Sequence, residues 1–455
     1  MGGEKRQSMT IARWIGKGLL LWQRAHSSLW FIPALFVLSA AVMSAVALKV
    51  DAELGAVGAS GWWLFTGSAS GARTVLSVIA GSLITVIAVA FSVTIIAIQQ
   101  ASTQFTPRVL RNFTRDRGNQ IVLGTYIATF AYSLLVLRRV REASADGEGF
   151  VPSVAISTAM LLALVSLALL VYFIHHISES LQVSSLLSSI RRELDRELIR
   201  MFPATLGQDE GEPADFDASL AEWAAERVGH EATAVCDDEG YLRRIDEEEL
   251  TAVVADGTRF VSIDVQIGQY VRPGDVLVRA WSDQPLGDDF TERARGAFQL
   301  DRNRSLQQDP LFGIRQIVDI GVKALSPGIN DPTTAEQALD QLGGALTVLA
   351  SRSMPSPMRV LANSARVLFR TPTFADYVDA SFAQIRRAAR SNLHVSQYLI
   401  NILRMLLVQS SSSRASSLRH QIEEVMVGFD GEGLTDSERG ALSRCLGRAD
   451  VSIGS

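Results

Sequence analysis

The chain contains very little cysteine. Its two cysteines, Cys236 and Cys445, lie far apart in the second half of a 455-residue sequence. This excludes a disulfide framework, and the spacing is not that of a zinc site. Such sparse use of cysteine suits a reducing compartment.

Lysine is also scarce, and arginine supplies almost all of the positive charge. The lysines are Lys5, Lys17, Lys49 and Lys323. We attribute this bias to a GC-rich bacterial genome that favours arginine codons. The formal net charge of −5 gives no reason to expect nucleic acid as the main partner.

Sequence motifs for catalysis are absent as well. The chain has no phosphate-binding glycine–lysine loop, no zinc-type His/Cys spacing and no nucleophile elbow. We therefore expect no enzyme activity, no cofactor and no resident metal ion.

Four long hydrophobic runs without a charged side chain occupy the first 178 residues. Each is close to the roughly 20 apolar residues that cross a hydrocarbon core of about 30 Å. They are Leu29–Leu48, Val75–Ile98, Ile121–Leu137 and Val151–Ile174. Nothing later in the chain repeats this pattern, so the sequence predicts a membrane anchor followed by a large soluble part.

Positive charge indicates the orientation of the anchor in a bacterial inner membrane. Arginine and lysine are concentrated before span one, between spans two and three, and after span four. The positive-inside rule therefore places both termini in the cytoplasm. Arg138, Arg139 and Arg141 disagree, because they fall on the outer side. In the leader, Trp14 and Trp22 favour an interfacial helix over residues 10–28.

The second span carries small and polar residues on one face. Members of this stripe recur every seven residues, which places them on one side of a helix. The stripe consists of Gly81, Thr85, Ala88, Ser92, Gln99 and Thr106. Small residues allow helices to approach closely in lipid, so a helix–helix contact is one interpretation. The other is the lining of a water-filled path in an oligomer.

Charged and titratable residues near the spans also have two interpretations each, of which one fits a channel. Arg108, Arg111 and Arg115 recur at helical spacing, which suits either anchoring to anionic lipid or a basic pore mouth. His175 and His176 follow span four. They are either a solvated interfacial pair or a pH-sensing gate, because histidine titrates near neutrality.

The predicted fold class is a four-helix membrane domain plus a cytosolic α+β domain that is mainly helical. The expected parts are a leader (1–28), the membrane domain (29–178), a connecting helix and linker (179–228), a small β unit (229–286) and a helical domain (287–455). In the β unit, Gly268 and Gly274 lie between alternating apolar residues, a pattern typical of strand, turn, strand. The pattern resembles half of a biotinyl/lipoyl barrel sandwich, but lacks the lysine that would carry the cofactor.

A polar motif precedes two predicted helices of the soluble part. Its candidate ligand residues are Asp309, Asp319, Asn330 and Asp331. They could gather around a cation or small ligand, or act in helix capping and turns. Asp331 followed by Pro332 is typical of a helix start.

Several stretches together resemble a known family of predicted bacterial membrane proteins, the domain of unknown function 2254. The resemblance covers about residues 25–410. Its motifs include Phe91-Ser92, Gln99–Ser102, Phe105–Arg108, Phe173–Ile177, Gly240-Tyr241, Ile245-Asp246 and Ala324–Ala335. It implies a membrane protein with no assigned activity and carries over no catalytic residue.

These observations lead to one expected function and two alternative functions. We expect a homo-oligomeric passive channel, gated by its cytosolic domain and surrounded by lipid, with a possible small ion or ligand on that domain. The alternative is a non-conducting scaffold or signal receptor. An enzyme acting on lipid precursors lacks a visible nucleophile or metal set.

Overall fold

The computed structural model describes most of the chain. The described residues are 31–54, 64–104, 116–142, 149–180, 182–202, 218, 220–221, 229–253, 258–287, 289–354, 356–360, 366–428, 435 and 440. The predicted leader, Thr106, the three arginines of the proposed mouth and the linker 203–217 lie outside them. The chain divides into two compact units, Met1–Gln182 and Val183–Ser455.

The first unit contains the four predicted membrane helices. They are α1 (Phe31–Leu54), α2 (Ala69–Gln104), α3 (Arg117–Leu137) and α4 (Ser153–Ser180). All four are long and apolar enough to cross a membrane, as the sequence predicted. The first helix runs beyond the predicted end at Leu48, so Asp51 belongs to the helix and not to the following loop.

Helix α3 lies at the centre of this unit. It packs against α1, α2 and α4, and a larger share of its apolar stretch is buried than in the other three helices. Two apolar clusters surround it, one containing Tyr132 and the other Tyr126. Both tyrosines are fully buried. The protomer's described interior is therefore filled by packed side chains.

The second unit begins with the amphipathic helix α5 (Val183–Met201). Its buried stripe contains Leu187, Ile190, Leu194 and Leu198. Helix α4 ends at Ser180, and α5 is a separate helix.

The strands of the second unit form two sheets. They are β1 (His230–Val235), β2 (Gly240–Ile245), β3 (Thr258–Ile263), β4 (Tyr270–Val271), β5 (Val276–Ser282), β6 (Phe298–Asp301), β7 (Met358–Val360) and β8 (Arg366–Phe369). One sheet has the order β1-β5-β3-β8-β7 and the other β4-β2-β6. In the first of these sheets, the five-stranded one, β3 and β8 are parallel neighbours.

The predicted strand–turn–strand is present, but the barrel sandwich is not confirmed. Gly268 and Gly274 adopt φ angles of +83° and +93°, which favour glycine in tight turns. The strands β4 and β5 that follow these turns join different sheets. Across the described strands, both sheets remain open. Strands β6, β7 and β8 come from beyond residue 286, so the sheets are not limited to the predicted β unit.

Helices complete the second unit. They are α6 (Glu247–Val253), α7 (Phe290–Gly296), α8 (Pro310–Ala324), α9 (Pro332–Ala350), α10 (Phe374–Ala388), α11 (Leu393–Gln409) and α12 (Ser412–Val427). Helix α8 packs on α5, α9 and α10, and α12 packs on α10 and α11. Side chains satisfy the first backbone N–H groups of several of these helices, as at Thr373, which forms a capping box with Asp376.

Candidate functional site

The polar stripe of α2 faces away from the core of the first unit. Its described members, Gly81, Thr85, Ala88, Ser92 and Gln99, are all exposed. The residues that pack inside lie on the opposite face and include Leu76, Ala80, Leu83, Ala90 and Ala97. A helix–helix contact through this stripe therefore does not occur within the described part of the first unit.

The hydroxyl groups of the stripe bond to their own helix. Thr85 Oγ1 donates to the Gly81 carbonyl at 3.5 Å, and Ser92 Oγ donates to the Ala88 carbonyl at 2.9 Å. Such bonds satisfy a hydroxyl in lipid, where water is absent. The face is thus compatible with lipid, with a second helix, or with water.

The two histidines after span four have different surroundings. His176 Nε2 lies 2.6 Å from Asp116 Oδ2, and Tyr172 stacks on its ring at 5.3 Å. Asp116 also caps α3, because its Oδ1 accepts from Gly118 N at 2.8 Å. His175 is 72% exposed at its side chain and pairs only with the nearby Glu179 among described residues. The predicted pair is therefore one anchored and one solvated histidine.

A buried carboxylate, Asp51, was missed by the sequence interpretation. Its two oxygens accept hydrogen bonds from Val154 N at 2.7 Å and Ala155 N at 2.8 Å. Asp51 thus caps α4 from a different helix, more than a hundred residues away in the sequence. One signal could have revealed it: Asp51 continues the helical spacing of small residues on the buried face of α1, which include Ser44 and Ala47.

Polar contacts also join α3 to α4 inside the unit. Tyr132 donates its hydroxyl hydrogen to the Ala155 carbonyl at 3.1 Å. The hydroxyls of Thr129 and Ser166 lie 3.3 Å apart. These bonds tie α3 to α4 within the first unit.

In the soluble unit, the predicted ligand motif has local structural roles. Asp331 caps α9, accepting from Thr334 N at 3.1 Å and Thr334 Oγ1 at 2.6 Å, so the predicted cap is confirmed. Asn330 occupies a left-handed turn with φ +48°. Asp319 pairs with Arg315 one helical turn away.

Asp309 directly precedes α8, whereas Asp319 lies within the helix. It caps α8 through Phe312 N and pairs with Arg304 at 2.8 Å. Burial raises the pKa of its carboxyl group, and Arg304 opposes that rise. Ten residues of helix separate the two carboxylates by about 15 Å. Among the described residues, no group of three or more His, Cys, Asp or Glu side chains is arranged to hold a metal ion.

The soluble unit also contains a cavity of about 360 Å³ that was not predicted. Its walls come from the end of α5, the end of β2, the first residue of α6, the loop 265–267, residues 308–311 at the start of α8, strands β7 and β8, the loop 370–372 and helix α10. Because these segments are far apart in the sequence, no local motif signals the cavity.

Four helices long and apolar enough to cross a membrane, followed by a unit of two open sheets and packed helices, define a membrane protein in contact with the lipid bilayer that carries a large α+β unit. The comparisons with known proteins agree with this class. The family described as predicted membrane protein (DUF2254) matches residues 26–405. The chain belongs to this family, as its motifs indicated.

Relatives of this chain occur in mycobacteria. Uncharacterized proteins of Mycobacterium bovis and of Mycobacterium tuberculosis are 31% identical to it over 460 residues. Each alignment covers 97% of this chain and 84% of the relative. No solved structure matches the chain.

Proposed function

We propose that the protein is a homo-oligomeric passive channel of the bacterial inner membrane, with its soluble unit in the cytoplasm as the gate. The path would run along the α2 stripe, between copies of the chain. One observation carries this proposal: the polar stripe is exposed, whereas the opposite face of α2 packs inside the protomer.

Helical geometry supports two separate contact faces on α2. At roughly 100° per residue, the described stripe residues lie within about 40° of one line along the helix. The buried residues lie nearly opposite. Large apolar side chains, among them Val78 and Ile84, border the stripe and are more than half exposed. A narrow band of small and polar residues between large apolar ones suits a facing helix better than lipid alone.

The small side chains of the stripe leave room for a helix of a second copy of the chain. An added Cβ at Gly81 would meet nothing within 4 Å. Helix α2 has 36 residues and is therefore about 54 Å long, which exceeds the hydrocarbon core of about 30 Å. The stripe continues to Gln99 near one end, so polar groups extend from mid-membrane toward the interface.

A dry scaffold or receptor is the second candidate, and a specific observation favours it. The Thr85 and Ser92 hydroxyls already bond to their own backbone. A stripe that needs no water could equally form a closed interface between copies. Water access to the stripe separates the two functions.

The test places single cysteines at positions 85, 92 and 99 in a background with Cys236→Ser and Cys445→Ser. Protein in lipid nanodiscs is treated with a water-soluble thiol reagent. A lined path predicts labelling at all three positions. Ser82→Cys is the matched control, because Ser82 is an exposed serine of the same helix about 100° away from the stripe.

Conduction is measured in planar bilayers with leucine substitutions at Ser92 in the stripe and at the control position Ser82. Ser92→Leu should strongly reduce the current by drying the constriction, whereas Ser82→Leu should preserve it. An oligomer that stays electrically silent under pH, voltage and tension steps, with unreactive stripe cysteines, would exclude the channel and favour the scaffold.

A further inference from the structure

The cavity of the soluble unit has the size of a small-molecule site. Its volume of about 360 Å³ lies within the range of roughly 300–1,000 Å³ typical of ligand pockets. All of its walls belong to the second unit, so it exists independently of the membrane helices.

Much of the cavity wall is apolar and aromatic. Phe202, Ile267, Phe369 and Tyr377 contribute to it. Tyr377 is only 1% exposed, and its ring contacts the Phe202 ring edge-on at 5.9 Å between centroids. Such a wall favours a ligand with an apolar body.

Arginine dominates the charge of the cavity lining. Arg200, Arg359 and Arg370 line it together with two acids, Glu247 and Asp309. The planar guanidinium group suits carboxylate and phosphate, which it can bind through two parallel hydrogen bonds.

Both acids of the lining are engaged by arginine. Asp309 accepts from Arg304 Nε at 2.9 Å and Nη2 at 2.8–3.0 Å. Glu247 Oε1 lies 3.0 Å from Arg359 Nη1. Arg359 also lies over the Phe369 ring, 4.8 Å from its centroid, at the junction of charge and aromatic wall. Arg200 in turn pairs with Glu197 on its own helix. Arginines still outnumber carboxylates among the lining residues and their partners, so the net positive charge favours an anion over a cation.

One polar group lies in this apolar part of the wall. Tyr377 lines the cavity and carries a hydroxyl group that can donate a hydrogen bond. A bound molecule with an acceptor oxygen beside this group would accept that hydrogen.

The backbone beside the cavity is held in an uncommon conformation. Gln308, which lines it, has φ +58°, and its Oε1 accepts from Ile245 N at 3.2 Å. Non-glycine residues at positive φ are uncommon and often lie at binding sites. This hydrogen bond joins the segment before α8 to strand β2, on two sides of the cavity.

We propose that this cavity binds a small organic anion, with an apolar body and one carboxylate or phosphate group. Arg359 and Arg370 hold the anionic group. Phe202, Phe369 and Tyr377 enclose the apolar body, and the Tyr377 hydroxyl donates a hydrogen bond to the ligand. The site goes beyond channel function and stands whether or not the protein conducts.

The test compares a charged probe with its neutral counterpart. Full-length protein in phosphatidylcholine nanodiscs is titrated with 1-naphthyl phosphate or 1-naphthol by calorimetry, with empty nanodiscs as blank. Saturable binding of the phosphate at one site per chain is expected. Arg359→Gln and Arg370→Gln should each weaken it about tenfold, as loss of a charge-assisted hydrogen bond does. They should leave naphthol binding unchanged.

Two further variants make the result specific. Arg259→Gln is the matched control, because Arg259 is an arginine of the same sheet that pairs with Asp283 at 2.7 Å outside the cavity. Tyr377→Phe should weaken the phosphate severalfold without lowering the melting temperature. The proposal is overturned if naphthyl phosphate shows no saturable binding up to about 10 mM, far weaker than the roughly 1 mM affinity worth about 4 kcal/mol. Equal weakening by Arg259→Gln would also overturn it.

Discussion

At the scale of single residues, polar side chains in this protein hold helix ends. Asp116, Asp309 and Asp331 each accept from a backbone N–H of the helix that they precede. Asp51 does the same for α4 from another helix. The free N–H groups of a first helical turn explain this use of carboxylates.

Asp51→Ala should destabilise the membrane unit. The substitution removes the acceptor for Val154 N and Ala155 N, and loss of a cap typically costs about 1–2 kcal/mol. Thermal melting in detergent, followed by circular dichroism, measures the effect as a lower transition temperature.

The control for this prediction is Glu53→Ala. Glu53 lies in the same helix, two residues further on, and is exposed. Exposed substitutions usually change stability by less than about 0.5 kcal/mol. Equal transition temperatures for the two variants would show that the Asp51 contacts contribute nothing to stability.

At the scale of elements, the two faces of α2 differ in their surroundings. Its inner face packs on α3 and its outer face carries the stripe. By contrast, α3 contacts all three of its neighbours and belongs to the core of the unit.

Gly81→Leu should separate oligomer assembly from protomer folding. Nothing lies within 4 Å of a Cβ at this position, so the protomer accommodates the larger side chain. A close contact between stripes of two copies would not, because it depends on small residues. Light scattering after size-exclusion chromatography should show a smaller assembly.

Ser82→Leu provides the comparison for this variant. It adds the same side chain to an exposed position on a different side of α2, so the assembly should keep its size. An unchanged assembly in Gly81→Leu would place the contact between copies elsewhere.

At the scale of the whole molecule, the distribution of charge predicts how the protein is oriented in the membrane. The arginine distribution predicts that both termini are cytoplasmic. A reporter active only in the periplasm should be silent after Ser455 and active when inserted near Gly58. The reverse result would place the soluble unit, and its proposed anion site, outside the cytoplasm.

Local patterns predicted much of the soluble unit because helix starts and turns depend on neighbouring residues. The Asp331–Pro332 start, the buried stripe of α5 and the turns at Gly268 and Gly274 all have local signals. The pairing of β4 and β5 with different partners has none. Strand partners are chosen by packing across the whole unit, so the resemblance to a barrel sandwich did not extend to the sheets.

The four helices long and apolar enough to cross a membrane follow from the amino-acid sequence alone, because uninterrupted hydrophobic length is a property of consecutive residues. The sequence also determined which face of α2 is polar, since helical periodicity is regular. Only the tertiary structure decided that this face points outward, that Asp51 caps α4, and that Arg359, Phe202 and Tyr377 line one cavity. These facts depend on contacts between residues distant in the chain, which folding brings together and no local pattern records.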